Sequence, residues 1–230
     1  MEYRNELKFI STASQLEILK PRLLSVMEPD PHMDENLQYN IRSVYFDDWQ
    51  DSCMYENEAG FNDRMKVRIR IYNGSDSVIK LELKYKLNGL TKKRSATISR
   101  ELCDKLIRGE KIALSETQGN AVLNLLYVYM QTKLLVPKVI VEYDRTVFIN
   151  QFGNVRITFD KNIRCSADVE RFFEENIMPL PVLETGLHVL EVKYDELLPD
   201  YIGNVINTGS LSQTAFSKYY LSRLALQGRL

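Results

Sequence analysis

"MKVRIRIYNGSDSVIKLELKYK", residues 65–86, is the stretch whose reading decides the fold. Asn73-Gly74 is a tight hairpin signal, and on either side of it the side chains alternate with the period of a strand. Met65, Val67, Ile69, Ile71, Ile79, Leu81, Leu83 and Tyr85 form one apolar face. The other face holds Lys66, Arg68, Arg70, Lys80, Lys84 and Lys86, with Glu82 as the only acid among them. The apolar face must pack against other elements. A face that was merely wet would carry mixed signs, because like charges directly opposite one another destabilise a strand pair. Something anionic is expected to compensate these cations.

Working outward, Asn88-Gly89 is a second hairpin signal, so residues 63–98 read as a three-stranded antiparallel meander. The first strand repeats the alternation, with Arg4, Glu6 and Lys8 opposed to Tyr3, Leu7 and Phe9. So does "VLEVKYDEL" at 189–197, where Glu191 and Lys193 share a face and Val192 and Tyr194 take the other. Strands are predicted at 2–10, 39–47, 63–72, 78–87, 90–98, 137–148, 154–160 and 186–194, with "FGN" at 152–154 as a turn. Helices are predicted at 12–26, 48–58, 100–108, 116–131, 199–207 and 213–227. No repeat, low-complexity tract or linker interrupts them, so one α+β domain over 1–230 is expected. Charged faces backed by apolar ones, from both ends of the chain, can converge inside a closed barrel. Burying such charges unpaired is prohibitive, so the interior must hold water, metal ions and a highly charged ligand. A triphosphate with a divalent cation fits: Arg forks and Lys point charges match phosphate oxygens, and carboxylates match a hard metal.

The rest of the composition narrows the setting. Lys plus Arg total 30 against 31 for Asp plus Glu, so any polyanion site is local and no general attraction to nucleic acid or lipid follows. Cys53, Cys103 and Cys165 are odd in number and widely spaced, which argues against disulfides and thiolate zinc and for a reducing compartment. "MEYRNELKF" is charged from its second residue, and no apolar run approaches the roughly 20 residues of a membrane span. A cytoplasmic protein without signal peptide or anchor is expected. No G-x-x-x-x-G-K-[ST] loop is present, so P-loop chemistry is excluded. His32 and His188 are too isolated for a metal site, and the tyrosines lack the interleaving with cations of a nucleic-acid groove. Trp49 reads as a helix anchor, Asp47 and Asp160 as turn caps at strand ends, and Phe216, Tyr220 and Leu224 as the buried side of the last helix, with Ser217 and Lys218 towards the mouth of the barrel.

Nine stretches then occur in order: "RNELKF" (4–9), "YNIRSVYFD" (39–47), "KVRIRIY" (66–72), "LELKYK" (81–86), "KKR" (92–94), "VEYDRTVF" (141–148), "VRITFD" (155–160), "LEVKY" (190–194) and "FSKYY" (216–220). Together they resemble the triphosphate tunnel metalloenzymes of the CYTH-like superfamily, and within them the catalytic domain of the vacuolar transporter chaperone (VTC) polyphosphate polymerases. "LEVK" followed by "FSKY" favours the polymerase branch over the triphosphatase and adenylate-cyclase branches. The resemblance implies an eight-stranded antiparallel β-barrel with helices packed outside, whose tunnel passes the γ-phosphate of ATP to a growing polyphosphate chain. By matching motif, Lys8, Arg68, Arg70, Lys84, Arg145 and Lys218 would form the catalytic cation set. Lys92, Arg94, Arg156 and Ser217 would bind phosphate, and Glu191 would hold Mn²⁺ or Mg²⁺. Alternation adds Lys66, Lys80, Lys86 and Lys193 as binding cations and Glu6 and Glu82 as accessory metal ligands, and the "YNIRSVYFD" match adds Arg42. Lys92 and Arg94 share parity with Ala96 and Ile98, so either a bulge or shortened strand intervenes or Lys93 is the inward residue.

The implied chemistry is in-line attack on the γ-phosphorus by an orthophosphate or polyphosphate oxygen, with no enzyme nucleophile. A triphosphatase or polyphosphatase of the same fold and a non-catalytic polyphosphate-binding module are the alternatives. Eukaryotic VTC subunits flank this domain with an inositol-phosphate-sensing domain and membrane helices. These 230 residues contain neither, so sensing and export of product are not assumed, and the expectation is a membrane-protein partner, not encoded in these residues, at the inner face of a membrane.

Overall fold

A computed structural model describes every residue except 1, 2, 62, 176, 178, 208 and 210. Glu2, at the head of the expected first strand, therefore lies outside the described residues. Both Asn-Gly turns form as read: Asn73 and Gly74 take φ of 50° and 66°, and Asn88 and Gly89 take 49° and 84°, the left-handed pair of a two-residue hairpin. They join β4 (Arg64–Tyr72), β5 (Ser75–Leu87) and β6 (Leu90–Ile98). The remaining long strands are β1 (Asn5–Thr12), β3 (Tyr39–Asp47), β7 (Val136–Asn150), β8 (Val155–Ser166) and β10 (Leu187–Tyr194). They pair in the order β1-β10-β8-β7-β3-β4-β5-β6, with the short β2 (Glu28–Pro29) added to β7 and β9 (Leu180–Pro181) to β8. Every neighbouring pair is antiparallel. The sheet curls until its two edges meet at one corner, where Arg4 and Thr91 exchange backbone hydrogen bonds of 2.9 and 3.0 Å.

The convex face is apolar and lies under two helical layers. Val67, Ile69, Ile71, Ile79, Leu81 and Leu83 pack beneath α3 (Arg100–Ile107) and α4 (Ala121–Thr132). Ile157, Phe159, Leu190 and Val192 pack beneath α1 (Ala13–Leu24) and α5 (Asp200–Ile206). The concave face is not charged throughout. Its β3–β7–β8 sector carries Tyr45, Val139, Val141, Tyr143 and Ile163, which take Met54 of α2 (Ser52–Glu58) and Phe216 and Tyr219 at the start of α6 (Lys218–Leu226). One side of the barrel is thus filled by protein, and the charged lumen is what this plug leaves over.

Three helices start later than predicted: α2 begins at Ser52 and not at 48, after Asp47 and Asp48 side chains have taken the N–H groups of residues 50 and 52–54, and α4 and α6 are also delayed. Gln118 and Gly119 have positive φ, and the Asn120 side chain accepts from Val122 and Leu123 N–H, so α4 begins at Ala121 and not at 116. Residues 213 and 214 run extended against β1, with Thr214 N–H donating to Lys8 O at 2.8 Å, and Ser217 caps α6. Trp49 anchors nothing: it is 69% exposed beyond β3. Among the described residues no helix is long and apolar enough to cross a membrane.

Candidate functional site

Strand alternation delivers the site. Glu6 and Lys8 on β1, Glu191 and Lys193 on β10, Arg156 on β8, Arg145 on β7, the Arg64–Arg70 alternate set on β4 and the Lys80–Lys86 set on β5 all have the parity opposite to the outer core. The β5–β6 register is regular and sets Lys84 against Lys93, Tyr85 against Lys92 and Leu83 against Arg94. Lys93 is therefore the inward residue. Lys92 and Arg94, expected to bind phosphate, lie on the outer face, Lys92 over the Tyr3 ring at 5.4 Å. Arg42 also points away from the lumen: it shares the parity of Val44, is buried against Glu142, and donates to the carbonyls of Phe172 (2.9 Å) and Glu174 (2.6 Å).

Four acids organise the lumen cations, Glu191 among them through its ion pair with Lys193. Glu82, 1% exposed, meets Arg68 Nη2 at 2.6 Å, Lys93 Nζ at 2.8 Å and Arg70 Nη1 at 3.8 Å. Burial pushes its carboxyl up, but Arg68, Arg70 and Lys93 outweigh that and hold it well below the usual range. Glu82, expected as an accessory metal ligand, is thus bound on its lumen side by three cations. Asp160 meets Arg145 Nε at 2.6 Å and Lys218 Nζ at 2.5 Å, and against burial these partners lower its carboxyl to about 2. It caps no turn, because β8 continues six residues past it to Ser166. Glu6 meets Lys84 Nζ at 2.7 Å and Lys8 Nζ at 2.9 Å. Burial and Glu191 push Glu6 up, and Lys84, Lys8 and Lys193 more than reverse it. Tyr45 and Tyr143 hydroxyls accept from Arg68 Nη1 (2.9 Å) and Arg70 Nη2 (3.0 Å), fixing the two forks.

Lys66 is different. Its Nζ donates to Ser217 Oγ at 2.6 Å and Asn57 Oδ1 at 3.3 Å and lies 5.7 Å from the Tyr219 ring centre, with no carboxylate partner among the described residues. Burial, then Lys8, Arg64 and Lys84, depress its amine to about 7. Lys84, buried beside Lys8 and Lys193, falls to about 8 despite Glu6. At the other end Arg156 is tied to Asp30 at 2.8 Å and Tyr39 Oη at 3.2 Å, and Lys80 to Thr97 Oγ1 at 2.7 Å.

The C-terminal helix is pinned in the lumen at its first turn. Lys218 binds Asp160, Tyr219 donates to Asp47 Oδ2, and Arg223 forks onto Asp51 at 2.7 and 2.8 Å. Asp47 is indeed a cap, accepting from Cys53 N (3.0 Å) and Met54 N (3.2 Å) at the start of α2. Tyr219 is the most buried residue at the start of this helix, where the sequence pointed to Tyr220.

For a metal, the expected acids besides Glu82 are Glu191, which pairs with Lys193, and Glu6, which like Glu82 already meets three cations, Lys84, Lys8 and Lys193. The β1–β10 register places each opposite a lysine (Glu6 and Lys193, Lys8 and Glu191) and diagonal to the other, near enough for the Glu191 charge to push the Glu6 carboxyl up. Among the described residues no group of three or more His, Cys, Asp or Glu forms a metal cage. Two hard oxygen donors on the wall fit a divalent ion that completes its shell with phosphate oxygens and water. A cleft of ≈ 340 Å³ lined by Arg164, His188, Pro179 and Pro181 includes none of the lumen cations and acids named above.

The fold recurs among solved structures. HpAC1 of Hippeastrum, a protein named for adenylyl cyclase and described by a dominant triphosphatase activity, aligns over 100% of this chain and 97% of its own with a TM-score of 0.59 and 12% identity. A Bacillus halodurans protein named for adenylate cyclase aligns over 94% of this chain and 96% of its own with a TM-score of 0.50 and 14% identity. No curated protein matches the sequence. The VTC domain family matches residues 3–227, nearly the whole length. The chain belongs to the VTC domain family.

Proposed function

We propose that this protein is a polyphosphate polymerase, an ATP:polyphosphate phosphotransferase acting within the charged lumen. The observation that carries the reading is the surplus of cations there: Lys8, Lys66, Arg68, Arg70, Lys84, Lys93, Arg145, Lys193 and Lys218 against Glu6, Glu82, Asp160 and Glu191. A surplus of this kind is tolerable only with an anion to share it. Membership of the VTC family supports polyphosphate as that anion.

Phosphoryl transfer asks little covalent help; positioning and neutralisation of charge do most of the work. Arg68 and Arg70, held by Glu82, Tyr45 and Tyr143, offer rigid forks to phosphate oxygens. Arg145 and Lys218, both set by Asp160, bring a strand and the C-terminal helix to the same anion. Lys8, Lys84 and Lys193 surround the two carboxylates that would hold Mn²⁺ or Mg²⁺. When bound, the ion would neutralise charge on the transferring phosphates. A phosphate oxygen of the acceptor is itself the nucleophile, so no enzyme group needs activating.

The second reading is hydrolysis, with water replacing the acceptor; it is favoured by the triphosphatase description of the Hippeastrum protein. Incubation of the purified chain with ATP and Mn²⁺ or Mg²⁺, with products resolved, separates them. Long-chain polymer accumulating with ADP, and lost in Glu191→Ala, is expected. Orthophosphate without polymer would replace the polymerase by a hydrolase. Tight polyphosphate binding without turnover would leave a binding module.

A further inference from the structure

The lumen acids are unequally engaged. Among the described residues Glu82 and Glu6 each meet three cations and Asp160 meets two, whereas Glu191 pairs with Lys193 alone. In the sheet Glu191 stands between Lys8 on β1 and Thr158 on β8, its two directly opposite neighbours. Thr158 shares the lumen parity of Arg156 and Asp160 on its own strand. Its side chain is buried, at 1% exposure, and its hydroxyl has no hydrogen-bond partner among the described residues. The inward positions beside it, Val147 directly opposite on β7 and Val189 diagonal on β10, are filled by valine. Valine is close to threonine in shape and leaves no buried hydroxyl unpaired, so packing alone gives no reason for threonine at this position.

A hydroxyl facing a carboxylate across a strand pair, with Cβ atoms about 5 Å apart, brackets a point between two hard oxygens. A phosphate oxygen at that point would be repelled by the carboxylate, whereas a divalent cation would be held from both sides. We propose that Thr158 is a further residue of the lumen ion site, its hydroxyl supplying Mn²⁺ or Mg²⁺ with an oxygen across from Glu191. The assignment rests on the polyanion reading of the lumen and adds a neutral ligand to its carboxylates. A neutral oxygen suits the place. Glu6 is already shared among Lys84, Lys8 and Lys193, and a further acid would offset the surplus charge that a phosphate chain needs. Water and phosphate oxygens fill the rest of the ion's shell.

The test titrates β,γ-methylene-ATP, whose terminal phosphate cannot be transferred, into the full chain by calorimetry, once in Mn²⁺ and once in EDTA. Wild type should bind the analogue more tightly in Mn²⁺. Thr158→Val should keep the EDTA affinity and lose about tenfold of the Mn²⁺ gain, the scale on which removing a partner from a metal site weakens the metal. Thr158→Ser, which keeps a hydroxyl, should recover the gain. Thr158→Ala repeats the titration if the valine variant fails to fold. An unchanged Mn²⁺ gain in the valine variant overturns the assignment. So do equal losses in Mn²⁺ and EDTA, or a serine variant that behaves as the valine one does. A wild type that binds the analogue equally in both media also overturns it, and in that case the lumen reading stands. A wild type that binds the analogue in neither overturns the lumen reading itself.

Discussion

Replacing Lys66 by Met should remove a proton from the binding reaction. Lys66 faces Lys8 from β1, Arg64 from its own strand, Lys84 from β5, Cys53 and Asn57 from α2, and Ser217 and Tyr219 from the C-terminal segment. With its amine at about 7, it is roughly nine-tenths neutral at pH 8. Phosphate oxygens arriving beside it favour the charged form and return it towards its ordinary value of about 10.4, so binding takes up about 0.9 proton at that pH. The free value lies below the bound one; Lys66's contribution to affinity is therefore full below pH 6 and is lost as pH rises through 7. Between pH 7 and 8 the charged fraction falls from about one half to about one eleventh, a loss of roughly fivefold in affinity. Calorimetric titration of tripolyphosphate at pH 8, in buffers of different ionisation enthalpy, reads the proton count as a slope. The slope for wild type minus that for Lys66→Met cancels protons taken up elsewhere and should be about 0.9. Equal slopes would refute the reasoning, because they would mean that Lys66 is already charged or never meets the anion.

Other outcomes follow from the same geometry. Arg70→Ala should cut ATP turnover by about 100-fold while circular dichroism stays native, since one preorganised fork to developing charge is lost; an unchanged rate would remove Arg70 from the site. Asp160→Asn leaves Arg145 and Lys218 buried without their shared acid and should cost about 3–5 kcal/mol in urea unfolding. Because the folded Asp160 carboxyl is depressed to about 2, the stability it gives is present above its unfolded value near 3.9 and fades as pH falls towards 2; Asp160→Asn should flatten that acid limb. Leu81→Ala, fully buried under α3 and α4, should lower stability by about 2–5 kcal/mol without altering the affinity for tripolyphosphate.

Much of the barrel was legible because its signal is local. Period-two alternation and two Asn-Gly turns identify β4, β5 and β6 and the charged face together, since one register fixes every side chain's side. That same register carried an unread answer. With a two-residue loop Leu87 faces Leu90, and counting back puts Lys84 opposite Lys93, so Lys92 and Arg94 must face out. Arg42 could not be placed by pattern, because β3 is buried on both faces and its apolar residues do not choose a side. The apolar plug was hidden for a similar reason: Val139 and Val141 face in while Ile140 faces out, and only the docking of α2 and α6 tells them apart. Asp160 was mistaken for a strand end because the motif "VRITFD" stops there, whereas β8 runs on and makes it a lumen acid. Arg64 and Asn57 carry no motif: the cross-strand register sets Arg64 opposite Lys86, and only the docking of α2 brings Asn57 to it.

The central claim is that the surplus cations of the concave face are completed by a phosphate chain. A crystal structure with tripolyphosphate and Mn²⁺ tests it most directly. The account predicts phosphate density against Arg68, Arg70, Lys84 and Arg145, with the ion on Glu191. Phosphate found only outside the barrel, with the lumen ion pairs unchanged, would contradict it.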